Sequence, residues 1–317
     1  MMNGTSTHSE RLDVAGAAAL IRDGRLCAFP TETVYGLGAD ATNVDAVLSI
    51  YETKGRPRFN PLIIHCADLA MAETLVAFSP LARKLAETFW PGPLSLVLPA
   101  RPGNGIADVA TAGLDTVAVR VPAHPLAREL IAAIGRPVAA PSANPSGRLS
   151  PTTAEQVRQG FEGRVRVLDG GPCEAGVEST IIRIEGDRLV QLRAGAVARE
   201  DIAAALGRPV ELAAEGAQVA APGMLLSHYA PQAGIRLDAV PRPGEAYLSF
   251  GEAAAFEGPS RNLSPSGDLR EAARNLFSML HELDRSGAAT IAVAPIPEKG
   301  LGEAINDRLR RAAAPRT

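Results

Sequence analysis

Residues 116–122 read Thr-Val-Ala-Val-Arg-Val-Pro. The alternation predicts a strand with Thr116, Ala118 and Arg120 on one face and Val117, Val119 and Val121 on the other. A strand this apolar belongs inside a sheet. Arg120 must then face a cleft or hold a salt bridge, because an unpaired buried charge is costly. Working outward, LCAFP (26–30), PLIIHC (61–66), residues 94–98 and PVAA (137–140) read as further short strands. Helical patterns lie between them. One runs from a cap at Ser9 or Asp13 to Arg22, and one from Asn43 through Tyr51 with Gly55 past its end. Others cover 68–89, interrupted at Ser79-Pro80, and 125–134. PTETVYGLGAD (30–40) and PSANPSGRLSPT (141–152) read as loops. A helix over 153–159 and strands near 165–168, 179–184 and 188–193 follow; the last two are joined by a short turn, so the sheet is mixed.

A helix over 199–206 leads into GRPVELAAEGAQVAAPG (207–223), whose Ala, Gly and Pro content without a period reads as a linker. A smaller α/β pattern follows, with strands at 246–250 and 290–294 and helices at 268–286 and 302–312. The expected organisation is a large α/β domain over 11–200, a linker over 207–234 and a small α/β domain over 235–317.

With 46% hydrophobic and 21% charged residues, the 317-residue chain is not disordered. Its 32 basic and 35 acidic residues give a net charge of -3, which excludes nucleic-acid binding by bulk charge but leaves room for a local basic groove. Only three basic residues are lysines: Lys54, Lys84 and Lys299. Cys27, Cys66 and Cys173 share no metal-binding or disulfide spacing and read as buried small hydrophobes in a reduced cytoplasm. No apolar run is long enough to span a bilayer, so neither a membrane span nor a secretion signal is expected.

Neither a G-x-x-x-x-G-K-[ST] phosphate loop nor G-x-G-x-x-G after a strand occurs, and G-x-S-x-G and His pairs at metal spacing are absent too. Lys54 and Arg56, two residues apart on a Gly/Pro-stiffened turn, can grip one oxyanion; they equally suit a basic helix C-terminus complementing its dipole. The loop 141–147 can wrap a phosphate or simply connect elements. His65 ends an apolar strand, where a core histidine is as natural as a site residue. Glu178-Ser179-Thr180 serves as a strand entry or a site, and His228-Tyr229 places an aromatic beside the linker.

In this order, FPTETVYGLGADA, KGRPRFNPLIIH, WPGPLSLVL, TVAVRVPAHP, APSANPSGRLSPT and GGPCEAGVESTI closely resemble the YrdC/YciO-type domain over residues 11–200. With PGMLLSHYAP and the C-terminal domain added, the chain resembles the long, two-domain form of the threonylcarbamoyl-AMP synthase family. The resemblance implies a YrdC-like domain with a twisted mixed sheet flanked by helices. A smaller Rossmann-like α/β domain would be joined to it by an extended linker. It implies a nucleotidyltransferase that makes L-threonylcarbamoyl-adenylate and pyrophosphate from L-threonine, bicarbonate and ATP. Its product would be handed to a tRNA threonylcarbamoyl-transferase complex, with direct tRNA contact not required. Mg²⁺ would come with ATP, with no protein carboxylate marked out as its ligand.

The family's catalytic tetrad falls on Lys54, Arg56, Ser142 and Asn144. Further ATP-binding positions fall on Asn60, Thr116, Ser150, Arg193 and Tyr229. Threonine-binding positions fall on Thr33, His65, Arg120, Ala140 and Ser179. The competing reading is an RNA-binding module that uses a basic concave face of the same fold.

Overall fold

The computed structural model describes residues 12–214, 228–253 and 256–315. The candidate cap Ser9 and residues 215–227 of the expected linker lie outside them. The larger body begins with α1 (Val14–Arg22), β1 (Cys27–Phe29), β2 (Gly36–Asp40), α2 (Val44–Lys54) and β3 (Ile63–His65). It continues with α3 (Leu69–Leu75), α4 (Pro80–Phe89), β4 (Leu94–Pro99), α5 (Asp108–Thr111) and β5 (Thr116–Arg120). Then come α6 (Pro125–Ile134), β6 (Val138–Ala139), α7 (Ala154–Gly160), β7 (Arg166–Val167), β8 (Thr180–Glu185), β9 (Arg188–Arg193), α8 (Arg199–Leu206) and β10 (Val210–Leu212).

Among the described residues these strands form one ten-stranded mixed sheet, ordered β10-β9-β8-β4-β5-β3-β6-β2-β1-β7. β5 lies inside it, antiparallel to β4 and parallel to β3. Its alternation holds. Val117, Val119 and Val121 enter the main core with α2–α4 residues such as Val47, Ile50 and Leu85. Ala118 packs on the other face with Ile63, Val97 and Ile181. β1 divides likewise, Ala28 facing the main core while Cys27 and Phe29 pack with Ile21, Leu130 and Ile131 of α1 and α6. All three cysteines are free and buried, and burial pushes the Cys27 thiol up to about 12.

The caps follow local chemistry. Asp13 Oδ1 accepts from the Gly16 amide at 2.8 Å, and Asn43 and Ser79 cap α2 and α4 in the same way. Gly55 closes α2 at φ 60°, a left-handed conformation that glycine adopts without a Cβ penalty.

Several stretches differ from the sequence reading. Gly36–Asp40 was expected as loop but forms β2, hydrogen-bonded to β1 on one side and β6 on the other. Tertiary pairing overrides the weak strand propensity of GLGAD. Val210–Leu212, at the head of the stretch read as linker, pairs in parallel with β9. The short α5 and the polar strand Ser260–Asn262 carry no apolar period long enough to announce them.

The smaller body contains β11 (Gly234–Arg236), β12 (Ala246–Ser249), β13 (Ser260–Asn262), α9 (Leu269–Asp284), β14 (Thr290–Val293) and α10 (Leu301–Ala313). Its strands form a parallel sheet ordered β11-β14-β12-β13. Leu276, Phe277 and Leu280 of α9 and Ile305 and Leu309 of α10 build its core. That core takes in Val34, Leu149 and Val177 of the larger body, so one apolar cluster crosses the boundary.

Candidate active site

β3 and β5 run parallel and end together, with His65 in register beside Arg120. Around these strand ends gather residues 31–36, the start of the loop 141–152, Glu178-Ser179, Arg193 at the end of β9, and His228-Tyr229. They line a single hollow.

Nine of the residues expected in the site line it: Thr33, Arg56, His65, Arg120, Ala140, Ser142, Ser179, Arg193 and Tyr229. The other five stand differently. Lys54 lies behind the lining, its ammonium donating to the Ser142 carbonyl at 2.6 Å and to the Asn144 carbonyl. Asn144 lines a separate depression on the far side of the loop, and its amide donates to the carbonyls of Pro145 and Arg148, both at 2.9 Å. The tetrad thus divides: Arg56 and Ser142 face the hollow, while Lys54 and Asn144 shape the loop that carries Ser142. Asn60 is buried beside Arg56 and accepts from its guanidinium through the backbone carbonyl at 3.3 Å. Ser150 is fully buried and donates to Glu178 Oε1. Thr116 starts β5, at the opposite end from Arg120 and outside the lining.

Arg120 satisfies both sequence readings at once. It faces the hollow and pairs with Glu32, Nη2 to Oε1 at 2.6 Å. Its Nη1 donates to Thr33 Oγ1 at 3.0 Å and its Nε to the Gly92 carbonyl at 3.1 Å. Burial works to raise the Glu32 carboxyl, but the charge and hydrogen bond of Arg120 leave it below the usual carboxylate range. Burial, aided by Arg120, pushes His65 down to about 3, so its ring is neutral.

Arg193 donates twice to the Ser179 carbonyl, at 2.8 and 3.0 Å, and to Ser179 Oγ at 3.0 Å. Burial brings Arg56 down to about 10 and holds Lys54 well below the usual ammonium range, with Arg56 adding repulsion. Arginines 56, 120 and 193 therefore line a hollow in which Glu178 is the one carboxylate among the described lining residues. Such a site attracts anions and can hold two negatively charged groups close together.

Tyr229 adopts φ 62°, in the left-handed region that costs a non-glycine residue roughly 1–2 kcal/mol. The Ala230 amide donates to the Gly147 carbonyl at 2.7 Å, and the Tyr229 ring lies 5.6 Å from that of Phe277. The surrounding structure imposes this conformation, as is common where a side chain must be aimed at a site.

Residues 19–195 match the Sua5/YciO/YrdC family model, described as "Telomere recombination", and residues 197–314 match the "Threonylcarbamoyl-AMP synthase, C-terminal domain" model. The chain belongs to the threonylcarbamoyl-AMP synthase family. A family member from Pyrococcus abyssi, named threonylcarbamoyl-AMP synthase, is 44% identical over 94% of this chain and 93% of its own length. One of the same name from Bacillus subtilis is 40% identical over 96% and 93%. The crystal structure of P. abyssi Sua5 complexed with L-threonine superposes with a TM-score of 0.87 and 41% identity, covering 95% of this chain and 94% of that one.

Sequence reasoning gave no site role to Glu32 or Arg308 and left Glu178 between strand entry and site; all three contact the family's site residues here. Glu32 and Glu178 lie inside the quoted motifs. Arg308 had a signal of another kind: it falls on the buried stripe of α10 with Ala304, Ile305, Leu309 and Ala312.

Proposed function

We propose that this chain makes L-threonylcarbamoyl-adenylate and pyrophosphate from L-threonine, bicarbonate and ATP, supplying the activated group for threonylcarbamoyladenosine in tRNA. One observation carries the reading. Three buried arginines from β5, β9 and the turn after α2 converge with the hydroxyls of Thr33, Ser142 and Ser179 on a single hollow. This is the equipment for bringing an anion up to a polyanion.

The threonine amine and bicarbonate form a carbamate and water. A carbamate oxygen then attacks the α-phosphorus of ATP as the bond to the β-phosphate oxygen breaks and pyrophosphate leaves. The attacking group is already anionic, so the chain need not supply a strong base. It has to offset repulsion and hold the reactants in line. Arg120, steadied by Glu32 and Thr33, takes the threonine carboxylate. Neutral His65 beside it contributes shape and a hydrogen bond without adding charge. Arg56 and the loop held by Lys54 take the phosphates, Arg193 keeps Ser179 in place, and Tyr229 closes the nucleotide side.

Mg²⁺ enters with ATP as part of the substrate. Glu32 and Glu178 are already engaged by Arg120 and Arg308, so phosphate oxygens and water are its natural ligands. The product goes to a transferase that modifies tRNA.

Incubation with ATP, Mg²⁺, bicarbonate and threonine, followed by mass detection of the adenylate, tests the reading. Product and pyrophosphate in equal amounts are expected, with neither formed when threonine or bicarbonate is omitted. Threonine-independent pyrophosphate release, or none at all, would refute it.

A further inference from the structure

Glu178 lines the hollow immediately before Ser179, and its two oxygens face different bodies of the fold. Oε1 accepts from Ser150 of the larger body. Oε2 accepts from Arg308 Nε of α10 at 2.9 Å. Arg308 is completely buried, and only part of its charge is met within its own body. Its Nη1 donates to the Ala194 carbonyl, next to Arg193, at 2.8 Å and to its neighbour Asp307 at 2.8 Å. Its guanidinium carbon lies 5.3 Å from the centre of the Tyr229 ring, within cation–π range. One side chain of the smaller body thus touches the Glu178 carboxylate, the end of β9 and the aromatic cover of the hollow.

The charge balance gives these contacts a consequence. A carboxylate in a hollow that must accept a carbamate and a triphosphate opposes binding unless a cation neutralises it. Arg308 does so from outside the lining, and its charge acts on Glu178 more strongly than that of Arg193 within it. Glu178, so held, fixes Ser150, and the backbone fixes Ser179 one residue on.

Resting on the activity proposed above, we infer that Arg308 is a positioning residue of the active site, supplied by the C-terminal body. Through Glu178 and Tyr229 it keeps the anion-binding groups aligned and cancels a charge that would repel the substrates. The C-terminal body is then a working part of the site as well as a support for the segment preceding it.

The test uses the full-length chain and its variants Arg308→Met, Glu178→Gln and the double variant, with adenylate formation followed at varied ATP and threonine. Thermal unfolding confirms that each variant folds. In Arg308→Met the stranded carboxylate should raise the KM values for ATP and threonine, on the order of 10- to 100-fold as for other groups that orient a ligand's partners. Adding Glu178→Gln should recover most of that loss, because no uncompensated charge remains. A purely packing role gives no such recovery, so a defect that Glu178→Gln leaves untouched overturns the inference. Wild-type kinetics in Arg308→Met overturn it too. If Arg308→Met does not fold, Arg308→Gln replaces it: a neutral amide keeps a polar group at the site but leaves the Glu178 carboxylate without its cation, so the same KM rise and the same relief are expected. Unchanged KM values in Arg308→Gln would then be the overturning result. Absence of adenylate from the wild-type chain would instead refute the activity itself.

Discussion

Arg120 Nη2 lies 2.6 Å from Glu32 Oε1, with both side chains buried at the floor of the hollow. The cation proposed to take the threonine carboxylate is therefore already half-committed, and its two roles can be separated. Arg120→Ala strands a buried carboxylate and should destabilise the chain by about 3–5 kcal/mol. Adding Glu32→Gln removes that charge and should restore much of the stability, while threonine binding stays lost. Urea denaturation reads the first effect and calorimetric titration with threonine the second. Recovery of threonine affinity in the double variant would contradict the carboxylate-clamp role.

Lys54 holds the loop that carries Ser142, and Arg56 projects from the turn that follows it. Replacing Arg56 with Ala should cost on the order of 2–4 kcal/mol of transition-state stabilisation, by analogy with lost oxyanion donors, and Lys54→Ala should slow the reaction by releasing the loop that places Ser142. Pyrophosphate release at saturating substrate measures this, and near-wild-type rates in both variants would contradict it. The same burial that lowers the Lys54 ammonium predicts a proton signature. An arriving triphosphate raises its proton affinity, so ATP binding at alkaline pH should be accompanied by proton uptake. Calorimetry in buffers of differing ionisation enthalpy should detect the uptake in the wild type and a smaller one in Lys54→Ala.

His65 and His228 are both pushed down to about 3, chiefly by burial. For His228, Glu178 opposes the shift while Arg56, Lys54 and Arg308 reinforce it. The unfolded chain, with histidines near 6.5, binds more protons than the folded one between about pH 3 and 6.5. The stability held by the neutral rings is fully present above pH 6.5 and is lost as pH falls toward 3. Each ring should contribute a slope approaching 1.4 kcal/mol per pH unit below about pH 6. Urea midpoints at a series of pH values should therefore fall between pH 6.5 and 5, and less steeply in His65→Asn. Equal slopes in the two proteins would show that His65 does not titrate in this way.

The parts of the fold that follow local rules were legible. The period of two in 116–122, the Asn43 cap with Gly55, and Ser79-Pro80 each state their element in a few residues. β2 and β10 were not, because GLGAD and VEL become strands only when a neighbour supplies hydrogen bonds. The site divided along similar lines. Residue type and motif pointed to Arg56, Ser142 and Arg120, and the hollow gathers them. That Lys54 works through the carbonyls of Ser142 and Asn144 depends on a loop nearly ninety residues away. Arg308 lies further still from the groups it holds, and only its place on an apolar stripe hinted that its charge was spoken for elsewhere.

Gly176 shows how closely the two bodies are fitted. Its φ of 71° is left-handed, and a Cβ there would stand 2.4 Å from the backbone of Arg274 and 2.5 Å from the Ala273 carbonyl in α9. Backbone on both sides cannot yield as a flexible side chain would, so Gly176→Ala must push α9 away or twist the segment leading to Glu178-Ser179. Either movement disturbs the site two residues downstream. The variant should lose stability by about 1–3 kcal/mol, and its KM for threonine should rise more than its thermal midpoint alone would suggest. Thermal unfolding together with steady-state kinetics well below the midpoint separates the two effects. Full activity in a destabilised variant would mean that the packing of α9 against Gly176 holds the bodies together without shaping the hollow.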